Sequence, residues 1–257
     1  MLSDSKGVKK NIIRVEDNKK NKMVDLIARE KELTIFLNQK KIVKLNCSPG
    51  DYKCLGVGFL FTAGILAGKE EIKSIKTEKD SVNINTKVDT LISGKMNQIS
   101  STIEVSRQYP KMTLTDSNFF DNYKINPGTV YHLIAEMQEK ASFFKLSGGV
   151  HSCALADADG TIVLFSEDIS RYNTIDRVLG EALLKDIDTN DKIMLTSCRI
   201  TLGIIKKIMN ADIPIVISRA AVTDSAVRMA NLYCITLIGF TRGKRMNIYT
   251  HPERITF

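Results

Sequence analysis

The chain has 257 residues, 43% hydrophobic and 26% charged, a globular composition long enough to bury one large core or two small ones. Lys plus Arg exceed Asp plus Glu by 37 to 29, which favours anionic partners, while the absence of Trp and 7% aromatic content argue against aromatic cages and stacking platforms. The five cysteines, Cys47, Cys54, Cys153, Cys198 and Cys234, are scattered and nowhere form C-x-x-C, so they make neither a disulfide scaffold nor a zinc ribbon and suit a reducing, cytoplasmic compartment.

The charge is uneven. Residues 1–46 hold 12 Lys/Arg against 6 Asp/Glu, and the remainder holds 25 against 23. A solvated, basic N-terminal face explains this better than nucleic-acid binding, for which interleaved aromatics are missing. The N-terminus has no apolar core typical of a secretory signal. The longest apolar stretch, residues 54–67, is shorter than the ~20 residues of a membrane span.

In chain order, short alternating runs predict strands over 12–15, 23–29, 33–37 and 41–46, with Asn38-Gln39 as a hairpin turn. Ser48-Pro49 reads as a helix cap followed by Pro at the first helical position, opening a buried helix over 52–66. Further strands are expected at 72–77, 82–86 and 99–105. Residues 106–125 lack a period and read as a loop, functional or mobile. Asn126-Pro127 then caps a helix to about residue 144.

From Gly148 onward strands and helices alternate. Strands at 153–156 and 161–165 flank the turn Asp157-Ala158-Asp159-Gly160. Helical faces follow at Ile175, Val178, Leu179 and Leu183, at Ile200, Ile204, Ile205 and Ile208, and at Ala226, Met229, Ala230 and Tyr233. Between them lie strands at 192–196, 213–218 and 235–240, and 246–249 closes the series. The pattern predicts an α/β chain: a strand-rich α+β N-terminal domain over 1–125 and a C-terminal domain over 126–257 with helices on both faces of a sheet.

Ligands of open α/β sheets bind beyond the strand ends, and the polar clusters fall there. Ser147-Gly148-Gly149-Val150-His151 precedes the first strand of the second half. Ser166-Glu167-Asp168 ends the second strand, with Arg171, Asn173 and Asp176 on the next helix. Ser197-Cys198-Arg199, Ser218-Arg219 and Thr241-Arg242-Gly243-Lys244-Arg245 end the following three. Arginines at three strand ends (Arg199, Arg219, Arg242), with small hydroxyls, glycine and helix N-termini nearby, are equipment for an anionic, phosphate-bearing ligand. His151, beside the glycine turn, is either a hydrogen-bonded structural residue or an acid, base or phosphate donor. His251 stands in a polar rim after the last strand, and His132 sits mid-helix among polar residues. Gly56-Val57-Gly58 lacks the third glycine of a dinucleotide fingerprint, and no Walker A sequence occurs.

These motifs, together with Glu167-Asp168-Ile-Ser-Arg171-Tyr-Asn173-Thr-Ile-Asp176, Gly239-Phe-Thr-Arg-Gly243, Met246-Asn-Ile-Tyr-Thr-His251-Pro-Glu-Arg254 and Val57-Gly58-Phe59-Leu60-Phe61-Thr62, resemble the formate dehydrogenase accessory protein family, FdhD/NarQ, across residues 45–257. The resemblance implies a cytidine deaminase-like three-layer α/β/α C-terminal domain. It implies sulfur transfer from a cysteine desulfurase to the molybdenum bis-molybdopterin guanine dinucleotide cofactor (a substrate, for which GDP is an analogue) before insertion into formate dehydrogenase, and a homodimer. Composition, span length and the missing ligand sets leave no nucleic acid, membrane or zinc expected. The family's cofactor-contacting stretch maps onto Phe240, Thr241, Arg242, Gly243, Lys244 and Arg245. The match departs at one place. Where the family carries C-x-x-C, this chain reads Lys111-Met-Thr-Leu-Thr-Asp-Ser-Asn-Phe-Phe120, without cysteine. A persulfide needs a thiolate, so the substitutes would be Cys198, with Arg199 and a helix N-terminus to lower its pKa, or Cys153; the alternative is a paralogue that binds the cofactor or a guanine nucleotide without carrying sulfur. A zinc deaminase would need His-x-Glu and Pro-Cys-x-x-Cys, and His151-Ser152-Cys153 supplies neither.

Overall fold

The computed structural model describes residues 6–87 and 123–257. The expected strand at 99–105 and most of the loop at 106–125 lie outside these residues. None of the described helices is long and apolar enough to cross a membrane.

Among the described residues the N-terminal half holds two sheets. Strands β1 (Gly7–Glu16) and β2 (Lys19–Ala28) form an antiparallel ribbon whose turn residues, Asp17 and Asn18, take φ of 49° and 61°. Those left-handed values suit the turn that matches strand twist in a two-residue hairpin, and Asp and Asn tolerate them. Strands β3 (Lys31–Leu37), β4 (Lys40–Cys47), β5 (Ile72–Glu78) and β6 (Ser81–Thr86) form a second sheet in the order β4-β3-β6-β5. Asn38 and Gln39 make its first hairpin turn, also with positive φ, as the sequence leads one to expect.

Helix α1 (Tyr52–Thr62) covers this sheet. Its cap is Asp51, whose carboxylate accepts from the Lys53 and Cys54 amides at 3.0 and 3.1 Å. The expected cap, Ser48, is drawn elsewhere: its amide donates to Asp168 at 3.1 Å, and its hydroxyl accepts from the Ile169 amide at 3.1 Å. The helix stops at Thr62 rather than residue 66, because the chain turns at Gly64, where φ is 69°.

The C-terminal half is a six-stranded sheet covered on both faces. It comprises β7 (His151–Ala156), β8 (Ile162–Asp168), β9 (Ile193–Thr196), β10 (Ile215–Ser218), β11 (Thr236–Arg242) and β12 (Arg245–Thr250), in the order β12-β11-β10-β9-β7-β8. The central β9, β10 and β11 are parallel, short and buried on both faces, and antiparallel strands flank them. Alternation sends Cys153, Leu155 and Leu237 to one face, packed with α4 (Arg171–Leu184), α5 (Leu202–Met209) and α6 (Asp224–Leu232). Ala154, Ala156, Ile215 and Ile217 face the other side, against α2 (Pro127–Lys140).

Asn126 caps α2 through the Thr129 amide at 2.9 Å, with Pro127 in the first turn. The single helix expected to residue 144 is broken at Ala141, and a short α3 (Ser142–Ser147) begins anew. The cause is Glu167 at the end of β8: its buried carboxylate accepts from the Phe143 and Phe144 amides at 3.2 and 2.8 Å, capping α3 from another strand.

Helices α1 and α4 join the halves backbone to backbone. A Cβ on Gly58 would lie 1.7 Å from the Asp176 carbonyl oxygen, and one on Gly180 would lie 2.0 Å from that of Cys54. Gly58 therefore serves helix packing. Beside this contact Asp176, buried, accepts from the Thr62 hydroxyl at 2.6 Å and from Lys207 at 2.8 Å.

Candidate functional site

Strand direction assembles the site. Because β7 runs antiparallel to both β8 and β9, its first residue, His151, sits at the same sheet edge as Asp168 and Thr196 at the ends of those strands. Ser197, Arg219 and Arg242 follow at that edge from β9, β10 and β11. The edge is the one at which ligands of open α/β sheets bind.

A cavity of about 550 Å³ opens there, within the usual range for small-molecule sites. Helix α3 supplies Phe144 and Lys145, its glycine-rich exit supplies Gly148 and Gly149, and the sheet supplies His151, Ser197 and Arg219. Gly148 ends α3 in the left-handed region (φ 63°), its amide bonding the Phe144 carbonyl at 2.7 Å. Ser197 is fixed by two bonds to Ser152, its hydroxyl accepting from the Ser152 amide at 2.9 Å and its own amide donating to the Ser152 carbonyl at 3.0 Å.

His151 and Ile169 also line a second, more polar cleft of about 660 Å³ with Lys44, Arg171, Tyr172 and Asn173. The Arg171 guanidinium lies 4.7 Å from the centre of the Tyr172 ring. Its buried Nε has no hydrogen-bond partner among the described residues. Burial, and then the charge of Arg171, push the His151 pKa below its usual value of 6.5, with Asp168 pulling the other way. The imidazole is thus neutral at neutral pH, keeping one donor and one acceptor nitrogen on a residue that lines both spaces.

Of the three strand-end arginines, Arg219 lines the cavity and Arg242 stands behind it, donating from Nε to the Arg219 carbonyl at 3.3 Å. Arg199 is exposed and lines neither space. Ser218 is buried and organises the backbone, donating to the Cys198 carbonyl at 2.6 Å and accepting from the Ala220 amide at 2.9 Å. The β11 edge is irregular: Phe240 has a φ of 52°, the strand bulges between Gly239 and Arg242, and the buried Thr241 hydroxyl has no partner among the described residues. Bulges of this kind re-aim side chains at functional edges. Gly243, Lys244 and Arg245 form the exposed hairpin beyond.

Other sequence candidates are held in buried hydrogen-bond networks or lie elsewhere, and of them only Asn173 also lines the polar cleft. Asp168 is fully buried and accepts from Arg177 Nε at 2.8 Å, the Ser48 amide at 3.1 Å, and the Ser170 amide and Asn173 side chain at 3.0 Å each. Asn173 also donates to the Asn46 carbonyl, and Asp176 is the Lys207 partner described above. His251 is at the opposite sheet edge, because β12 is antiparallel to β11; its ring reaches the Asn231 carbonyl at 3.0 Å and Glu253 at 2.9 Å.

The expected activation of Cys198 is absent. Burial raises its pKa, with Thr196, Arg171 and the exposed Arg199 only partly opposing, and α5 starts four residues later. Cys153 is completely buried, its thiol donating to Met194 Sδ at 3.0 Å, and its pKa too is raised. Burial lifts Cys47 and Cys54 to about 12, and all five thiols are buried. Among the described residues no three His, Cys, Asp or Glu side chains gather as a metal site.

Sequence reasoning missed Lys44, Phe144, Lys145 and Ile169. Phe144 and Lys145 adjoin the Gly-Gly turn and could have been found from it, whereas Lys44 reaches the site only through the packing of the two halves.

The FdhD/NarQ family model matches residues 28–256. The chain belongs to the FdhD/NarQ family. Two relatives are named sulfur carrier protein FdhD: one from Saccharolobus solfataricus, 33% identical over 95% of this chain and 96% of its own, and one from Bacillus subtilis, 31% identical over 99% of each. A solved structure of a formate dehydrogenase accessory protein from Desulfotalea psychrophila superposes with a TM-score of 0.81 at 23% identity, covering 97% of this chain and 99% of that one, and so shares the fold. Of the segments that carried the resemblance in the sequence, Gly148–His151, Ser197 and Arg219 line the cavity.

Proposed function

We propose that this chain is an accessory factor of formate dehydrogenase that binds the molybdenum bis-molybdopterin guanine dinucleotide cofactor through its nucleotide end and delivers it to the enzyme, without carrying sulfur on a thiol of its own. The observation that supports the reading is the pairing of a cationic, glycine-lined cavity with five buried thiols. Arg219, Lys145, the Gly148-Gly149 backbone and neutral His151 form the donor set a diphosphate requires. The Arg242 hairpin lies on the same side. A thiol that is buried with a raised pKa supplies little thiolate to accept a sulfane sulfur.

Sulfur transfer through Cys198 is the second reading, favoured by the relatives' name and by its place in the chain next to Ser197, which lines the cavity. Titration with GDP separates binding from non-binding: wild type binds, and Arg219→Ala binds about tenfold more weakly through loss of a charge-assisted contact. No GDP binding by wild type refutes the cavity assignment. Incubation with a cysteine desulfurase and cysteine, read by intact mass, yields no adduct of one sulfur atom; an adduct that disappears in Cys198→Ala establishes the second reading instead.

A further inference from the structure

The β1–β2 ribbon is unlike the rest of the molecule, because much of it stands free of the cores. Ile13, Val15 and Val24 are 62%, 59% and 56% exposed, and a two-stranded ribbon alone in water is only marginally stable. The register divides its side chains into two faces. On one, Lys10 faces Asp25 and Glu16 faces Lys19, so the charges are mixed. On the other, Ile13, Val15, Val24 and Leu26 alternate with Lys9, Lys20 and Lys22, and every charge is positive.

This apolar, wholly cationic face continues to the cavity. Its foot is Ala28, against which a Cβ on Gly149 would lie 2.9 Å away, and Gly149 lines the cavity. Beside it α3 exposes Phe144, 43%, and Leu146, 57%, and Phe144 is itself a cavity wall. The family match begins at residue 28, at this foot.

We propose that this face of the ribbon, with Phe144 and Leu146, is a docking surface for an acidic, partly apolar face of the dehydrogenase that receives the cofactor. The proposal rests on the delivery function argued above. Charge selects the occupant: stacking the face on its own copy would set Lys9, Lys20 and Lys22 against like charges, whereas an acidic surface complements them. The buried thiols favour the recipient over a sulfur donor, and the position at the cavity rim places the recipient where the cofactor leaves.

The test is binding of the full chain to purified, cofactor-free formate dehydrogenase by biolayer interferometry across a salt series. Wild type binds, and its affinity falls as salt rises. The exposed double variant Lys20→Glu/Lys22→Glu binds about tenfold more weakly, Val24→Ser is also weakened, and both keep wild-type GDP affinity. Wild-type affinity in the double variant, no binding by wild type, or self-association in sedimentation velocity that the ribbon variants abolish each overturns the proposal. Ribbon-dependent dehydrogenase binding by a wild type that does not bind GDP supports the docking surface and refutes the cavity assignment alone.

Discussion

Replacing Arg177 by Met tests whether the Asp168 cluster holds the two halves together. The guanidinium is buried, donates to Asp168 at 2.8 Å, and reaches the Asp51 and Ser48 carbonyls at 2.9 and 2.6 Å. Met conserves much of the stem but leaves a buried carboxylate without its cation and two carbonyls without their donors. Breaking one side of a buried pair costs about 3–5 kcal/mol, and the three remaining donors to Asp168 keep the loss toward the lower end. Burial already pushes the Asp168 pKa up while Arg177 pulls it down, so removing Arg177 raises it further. The folded variant therefore takes up a proton that folded wild type takes up only at lower pH. Linkage then makes the stability gap widest near neutrality and narrower as pH falls through the variant's Asp168 pKa. Urea unfolding followed by circular dichroism, at several pH values and with unchanged m, measures it. A loss below about 1 kcal/mol, within the range of a surface pair, or a gap independent of pH, refutes the reasoning.

Gly58→Ala drives a methyl into the Asp176 carbonyl, so the helix pair must separate; a loss of at least about 2 kcal/mol is expected in the same unfolding assay, and a neutral result denies the close approach. His151 has a folded pKa below 6.5, so the unfolded chain binds its proton first and stability declines as pH falls below 6.5 toward the folded value. His151→Gln lacks that part of the decline, which parallel melting curves at pH 7.5 and pH 5.5, about two pH units spanning the usual His pKa, detect. A thiol reagent at pH 8, below the ordinary thiol pKa of about 8.5, reacts slowly with the native protein at all five cysteines and rapidly after unfolding; one fast native thiol contradicts the burial that underlies the proposed function.

Local chemistry made much of the fold legible. Alternation at 33–37, the Asn38-Gln39 turn and the Asn126-Pro127 cap depend on neighbouring residues, and the structure places them as read. The buried faces of α4 and α5 likewise largely follow from helical spacing, although Ile200 lies ahead of α5 in a bridge to Val222. The Ser48 cap failed because nearby Asp51 takes the first amides of α1 while the Ser48 hydroxyl accepts from distant Ile169. The single helix to residue 144 failed because the distant Glu167 carboxylate takes the Phe143 and Phe144 amides.

The candidate site divides along the same line. Glycine, hydroxyl and arginine at strand ends are visible in one dimension, and so is the missing C-x-x-C, since the thiol chemistry needs a residue type and not a place. Which polar residues share an edge depends on strand direction. The antiparallel β7 brings His151 to Asp168 and Ser197, the antiparallel β12 carries His251 to the far edge, and Arg219 alone of three arginines lines the cavity. Thiol reactivity was also a tertiary matter, because burial outweighs the nearby cation at Cys198. Sequence determined the basic N-terminal charge, but only β pairing sorted it into one mixed face and one wholly cationic face, since alternate side chains of a ribbon point to opposite sides.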